Sequence, residues 1–283
     1  MGAPSHRSAR LDGISPGNPP RPPIPATDVS SCFMAPRFFH PEPLRVGAHT
    51  ELSPVAATHA RTVLRLRAGA GITLFDGQGV EFDAVITHSD RGCLRVTIIG
   101  CTAVDRESGL QLILVQGLIK GQKMDWIVQK ATELGVTAIH PVVCERSVVR
   151  LPPDRLAGKA KHWRGIAIAA CEQCGRNRLP LIHEPACLDD AVPAGESAGR
   201  RWLMHPATRR LRPCRARSSG DVRTVLYCGP EGGFTDQEAD RLRDQGALPL
   251  GLGPRILRSD TAAIAGIVLL QHHFGDIDSL RVC

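Results

Sequence analysis

Between residues 35 and 108, apolar positions recur two apart in short bursts. The stretches "GITLFDG", "VEFDAVITHS" and "GCLRVTIIGCTAV" are rich in β-branched residues and break at Asp-Gly, Gly and Ser-Asp turns. A period of two sends alternate side chains to opposite faces of a pleated strand, so the pattern predicts the short strands of a small β-barrel. One stretch departs from it. "HARTVLRLRAG" sets Val63, Leu64 and Leu66 among Arg61, Arg65 and Arg67, which reads equally as a solvated charged face or as a face for a polyanion.

Beyond residue 110 the rhythm becomes strand alternating with helix. "LQLILVQGLI" is a continuous apolar run suited to a strand buried on both faces. "KMDWIVQKATELG" then places Met124, Ile127, Val128, Ala131 and Leu134 at helical spacing and stops at Gly135. "VTAIHPVVC", "RRWLMHP", "RTVLYCG" and "ALPLGLG" read as further strands. "DRLAGKAKHWRGIAIAACEQCG", "TDQEADRLRDQG" and "SDTAAIAGIVLLQHHFG" read as helices. Interleaved in this way they predict a mainly parallel sheet covered on both faces, with ligands gathered at the carboxyl ends of its strands.

Three of those strand ends carry unusual loops: "LMHPAT" at 203–208, "YCGPEGGFT" at 227–235 and "LGLGPRILRSDTA" at 250–262. Glycine permits close backbone approach and proline stiffens the turn, so the loops suit either tight turns or a small-molecule cradle. Thr235 and Glu238 have the spacing of a capping box, and Ser259 is placed to cap the last helix in the same way. "GLGPRI" offers Gly251 and Gly253 but Ile256 where a dinucleotide fingerprint needs a third glycine. Walker and H-E-x-x-H patterns do not occur in the sequence.

Composition narrows the partners. A net charge of +7 over 283 residues favours an anionic partner, although a basic soluble protein needs none. Ten cysteines are scattered, as at Cys93, Cys101, Cys144 and Cys187 in apolar segments, which predicts a reduced, cytoplasmic chain. Cys171 and Cys174 have no second pair to complete a zinc site, so no metal is expected. No apolar run reaches the roughly 18 residues that span a bilayer, and no membrane is expected. Residues 1–33 carry Pro4, Pro16, Pro19, Pro20, Pro22, Pro23 and Pro25 without apolar periodicity, which predicts a disordered tail. Patterned sequence begins after Met34, which reads as a second possible start of translation.

"RFFHPEPL", "KGQKMDWIVQKATELGV", "HWRGIAIAACEQCGRNRLP", "GPEGGFTDQE" and "LGPRILRSDTAAIA" resemble, in order, the signatures of the ribosomal RNA small subunit methyltransferase E family. The likeness runs from about Arg37 to about Gly275. It implies an α/β fold: a PUA-like β-barrel at 34–108 that binds RNA, then a SPOUT methyltransferase domain at 109–283 whose last segment threads a trefoil knot. It also implies S-adenosylmethionine as cofactor, a homodimer, and methylation of N3 of a uridine in 16S ribosomal RNA, either naked or in the assembled small subunit.

The resemblance maps the cofactor cradle onto Met204, His205 and Pro206, onto Gly229, Pro230, Glu231 and Gly232, and onto Leu252, Gly253, Ile256, Leu257 and Arg258. Uracil N3 is a weak acid, so its methylation calls for a proton acceptor or a cation beside the developing anion. Arg258 and Asp260 are the expected catalytic pair. Arg37, Arg61, Arg65, Lys120, Lys123 and Arg146 are the expected contacts to the RNA backbone. The family usually reads Thr-Glu-Thr where this chain has Ser259, Asp260 and Thr261, a carboxylate kept on a shorter arm.

Overall fold

The computed structural model describes residues 35–90, 93–149, 153–191, 199–205 and 223–277, without the side chains of 153–157. The predicted tail at 1–33, Met34 and Pro206 lie outside the described residues.

The first sheet has five strands: β1 (Arg37–Phe39), β2 (His49–Glu51), β3 (Gly71–Phe75), β4 (Val80–Ser89) and β5 (Leu94–Ala103). Their order is β1-β3-β4-β5-β2. Every ladder is antiparallel except β1 on β3. Alternation along β4 and β5 sends Phe82, Ala84, Ile86, Val96 and Ile98 into one core with Phe38 and Leu74. Helix α1 (Pro54–Thr58) runs into a π-helical turn at His59–Val63 and adds Ala56, Ala57 and Ala60 to that core. The arginine-rich stretch is therefore a helical cover over the sheet only as far as Val63, with Arg65 and Arg67 beyond the helix. Among the described residues no ladder joins β1 to β2, and they form its two edges.

The second sheet holds β6 (Leu112–Gly117), β7 (Ala138–Val143), β8 (Leu181–Ile182), β9 (Ala186–Cys187), β10 (Arg200–Met204), β11 (Thr224–Cys228) and β12 (Leu248–Leu250). The order is β12-β10-β11-β6-β7-β8, with β9 also on β7, and every ladder is parallel. β6 and β11 are buried along their whole length, as a continuous apolar run requires when helices cover both faces. Leu112, Leu114, Leu226 and Cys228 face one way, into a core with α2 (Gln122–Glu133) and α5 (Ser259–Phe274). Ile113, Val115, Val225 and Tyr227 face α4 (Asp236–Asp244) on the other side. Met124, Ile127, Val128 and Ala131 form the buried stripe of α2, and Gly135 follows its end at φ 80°.

The two sheets meet across α3 (Pro153–Cys174) and the segment after it. Glu81 on β4 is held between the guanidinium groups of Arg37 and Arg106. Arg37 also donates to Asn177 Oδ1 at 2.7 Å, and Asn177 Nδ2 donates to the Val104 carbonyl at 3.0 Å. Glu172 of α3 accepts from the Phe39 amide at 3.0 Å. Arg176, itself buried, pairs with Glu107 at 2.7 Å and caps the Thr132 and Val136 carbonyls.

This placement corrects the expectation that Arg37 grips RNA. Its side chain is 6% exposed and bonded to Glu81 and Asn177, so reaching a phosphate would break both contacts.

Burial pushes the Glu81 carboxyl up, but the hydrogen bonds and charges of Arg106 and Arg37 outweigh it and hold the group below the usual carboxylate range. A carboxyl depressed on folding contributes stability that is present above its unfolded pKa, about 4.3, and is lost as pH falls through the folded value. Glu81→Ala is expected to cost about 3 kcal/mol at pH 7, because it leaves Arg37 buried without its charge partner. Urea denaturation at pH 7 and below pH 4 checks this, with the gap between variant and wild type narrowing in acid.

Candidate functional site

Parallel strands β6, β11, β10 and β12 end side by side, and the chain leaving the last three builds one pocket. After Cys228 the backbone turns through buried Gly229 and Pro230, and the Gly233 amide closes on the Pro230 carbonyl at 2.9 Å. Gly233 sits at φ 71°, where only glycine is unstrained. Gly229 is packed against its own loop, since a Cβ there would lie 3.0 Å from Gly233 C and Phe234 N. The capping box forms as predicted: Glu238 N donates to Thr235 Oγ1 at 3.2 Å and Thr235 N to Glu238 Oε2 at 2.8 Å. Glu238 Oε1 accepts from the Glu145 amide at 2.9 Å. The carboxylate thereby fastens the glycine loop to the end of β7.

The cavity measures about 310 Å³, near the lower bound of small-molecule sites. The structure brings Met204, His205, Gly229, Pro230, Glu231, Gly232, Leu252, Gly253, Ile256 and Leu257 together in its wall. Arg258, expected there too, does not line it: it is exposed and forms the N-cap position of α5. Arg146, expected on RNA, does line it, donating to the Gly232 and Phe234 carbonyls at 3.4 and 3.3 Å.

Ser259 corrects a further expectation. It is the first residue of α5 and not its cap. Its hydroxyl donates across the pocket floor to the Gly229 carbonyl at 2.5 Å, a partner that the helix's own amides do not displace. Asp260 follows, with Oδ1 buried and without a hydrogen-bond partner. Gln116 on β6 bonds to the same group of atoms. Its only sequence signal is one amide inside the apolar run "LILVQG".

The remaining cations lie on other elements. Lys120 is exposed, and its amide donates to Glu231 Oε1 at 3.0 Å. Lys123 is half-buried on α2 and Arg65 is exposed at φ 56°. The Arg61 guanidinium donates to the Asp90 carbonyl.

Residues 106–271 match the model of the RNA methyltransferase domain, and residues 56–99 match that of the RNA methyltransferase PUA domain. The chain belongs to the ribosomal RNA small subunit methyltransferase E family. It is 30% identical to that enzyme of Bacillus subtilis over 224 residues, covering 76% of this chain and 86% of the relative. The family member of Neisseria gonorrhoeae, solved bound to S-adenosyl methionine, is 36% identical at a TM-score of 0.79, covering 86% of this chain and all of that one. A Legionella pneumophila structure in complex with the bound cofactor SAM is 38% identical at a TM-score of 0.81, covering 87% of this chain and all of that one.

Family membership makes the thiol under the pocket worth testing for reactivity. Burial pushes Cys228 up to about 12, against the Ser259 hydrogen bond and with the Asp260 charge adding to the rise. Cys144 and Cys171 are likewise raised to about 12 by burial. A thiol so raised is neither nucleophile nor metal ligand at neutral pH. Cys101 and Cys187, read as belonging to apolar segments, are exposed. Iodoacetamide at pH 8 is expected to alkylate Cys101 and Cys187 and to spare Cys144, Cys171 and Cys228 until denaturant is added, as read by peptide mass mapping.

Proposed function

We propose that this protein transfers a methyl group from S-adenosylmethionine to N3 of a uridine in 16S ribosomal RNA. The observation that carries the reading is the pocket in which three loops meet at the ends of parallel strands, in a chain 36% identical to a relative solved with that donor. The wall fits the group: bare glycine backbone at 229, 232 and 253 admits close approach, and Met204, Leu252 and Ile256 offer apolar contact to an adenine. S-adenosylmethionine supplies a methyl already activated on a sulfonium, which leaves the protein to orient the partners and handle one proton.

Asp260 is the proton acceptor in this reading, because its Oδ1 lies without a partner beside the pocket floor. Arg258, exposed at the start of α5 and outside the cavity wall, stabilises the uracil anion from the open side. Arg61, Arg65, Lys120, Lys123 and Arg146 remain the backbone contacts, with Arg146 also bracing the glycine loop. A domain boundary near residue 108 is supported by the two matched regions. The trefoil knot belongs to the same reading and rests on the family likeness alone. A homodimer belongs to it as well, for which exposed Trp126 on α2 and Val268 on α5 offer apolar surface. No helix among the described residues is long and apolar enough to cross a membrane, and cytoplasmic ribosomal RNA is the substrate this reading requires.

The deciding experiment incubates the protein and methyl-labelled donor with naked 16S RNA and with small subunits, then maps the product by mass spectrometry. Label at N3 of one uridine is expected, and label on a ribose, or none on either substrate, would sink the proposal. Gly232→Val is expected to weaken donor binding about tenfold or more, because its first carbon would already lie 2.9 Å from Arg146 Cβ. Calorimetry beside an unchanged far-ultraviolet spectrum checks it. Arg258→Ala is expected to lower kcat about a hundredfold, with donor affinity kept. If saturating RNA restores the wild-type rate, Arg258 is a binding group and not a catalytic one.

A further inference from the structure

β6 runs through the middle of the sheet, and Gln116 is the single polar side chain in its run of six. It is fully buried. A buried amide costs more there than a leucine unless it is bonded; Oε1 has no hydrogen-bond partner, and Nε2 makes all the amide's bonds. It donates to the Gly117 carbonyl at 2.9 Å, to the Gly229 carbonyl at 3.4 Å and to Ser259 Oγ at 3.1 Å. Carbonyls only accept, so the nitrogen must face them, and this settles which way the amide points. Ser259 Oγ accepts from Gln116 and donates its own proton to Gly229 O at 2.5 Å. Amide, hydroxyl and carbonyl close a triangle.

The corners of that triangle are three separate chain segments: the end of β6, the glycine loop after β11, and the first turn of α5. Two other contacts hold the same junction. A Cβ at Gly117 would lie 2.5 Å from both N and Cδ of Pro230, so these backbones touch. Cys228 Sγ reaches the Ser259 carbonyl at 3.5 Å. Gly229 and Ser259 line the cavity, whereas Gln116 does not.

We infer that Gln116 is a positioning residue for methyl-donor binding: without touching the pocket, its amide sets the distance between the glycine loop and the start of α5, two walls of that pocket. The inference rests on the proposed reading of the cavity as the donor site. A buried hydrogen-bond network acts as a unit, and removing one member releases the others. Losing Gln116 or losing Ser259 should therefore produce the same defect, once.

The test is calorimetry of S-adenosylmethionine binding to the full chain as wild type, Gln116→Met, Ser259→Ala and the double variant, with thermal melts of each. Met keeps volume and removes the donors. Each single variant is expected to bind about tenfold more weakly, as for one lost buried hydrogen bond. The double variant should also lose about tenfold and not the hundredfold that independent sites would give. KM for ribosomal RNA should stay at the wild-type value in all of them, a split that general loosening of the fold would not produce. Unchanged donor affinity in folded Gln116→Met, or a hundredfold loss in the double variant, overturns the inference. If Gln116→Met does not fold, Ser259→Ala alone decides, since unchanged affinity there breaks the triangle's claim equally. A wild type that binds no donor fails the reading of the pocket instead, and the two failures are thereby distinct.

Discussion

A strand buried on both faces must hand over its backbone groups somewhere when it ends, and in this protein two such strands, β6 and β11, end side by side. Gly117 and Gly229 are buried at that point, so the protein supplies partners for the loose backbone groups itself. Gly117 lies bare against Pro230, Gly229 folds against Gly233, and the Gly229 carbonyl is claimed by Ser259 and Gln116. Each of these solutions requires a small residue or a short polar one. A concave wall free of bulky side chains is the by-product, and a wall of that kind is what a small ligand needs. The glycine-loop wall of the pocket follows from how two central strands are terminated.

The first sheet depends on a different constraint. Its contact with the second domain is polar and contains a glutamate between two arginines, an asparagine and a second arginine–glutamate pair. Buried charge is tolerable only where every partner is present. These contacts join the five-stranded sheet to the α/β unit. Arg37 is spent on the joint. The cations still exposed, Arg65 and Lys120 among them, are presented on surfaces whose relative placement this joint sets.

Much of this was legible because periodicity is a local signal. The α2 stripe, the buried runs of β6 and β11 and the capping box at Thr235 all follow from spacing alone. β1 and β2 are three residues long and carry too few positions to show alternation. The misreadings share one cause. A serine before an apolar helix looks like a cap, and an arginine in a basic chain looks like a phosphate ligand, until the tertiary fold brings a stronger partner within reach. Ser259 found Gly229 from 30 residues away, and Arg37 found Asn177 from 140. No local window contains those pairs.

The same geometry explains why the departure at 259–261 leaves the cradle intact. The resemblance expects Thr-Glu-Thr, and the chain has Ser-Asp-Thr. The floor of the pocket uses only a hydroxyl at the first position, one that accepts from Gln116 and donates to Gly229. Serine and threonine supply it equally. At the second position the acid is conserved in charge but shortened by one methylene, and its Oδ1 is already buried without a partner. A longer arm would carry that charge farther from the turn that buries it. The substitution therefore acts on the reach of the carboxylate and not on the hydroxyl that joins the first turn of α5 to the glycine loop.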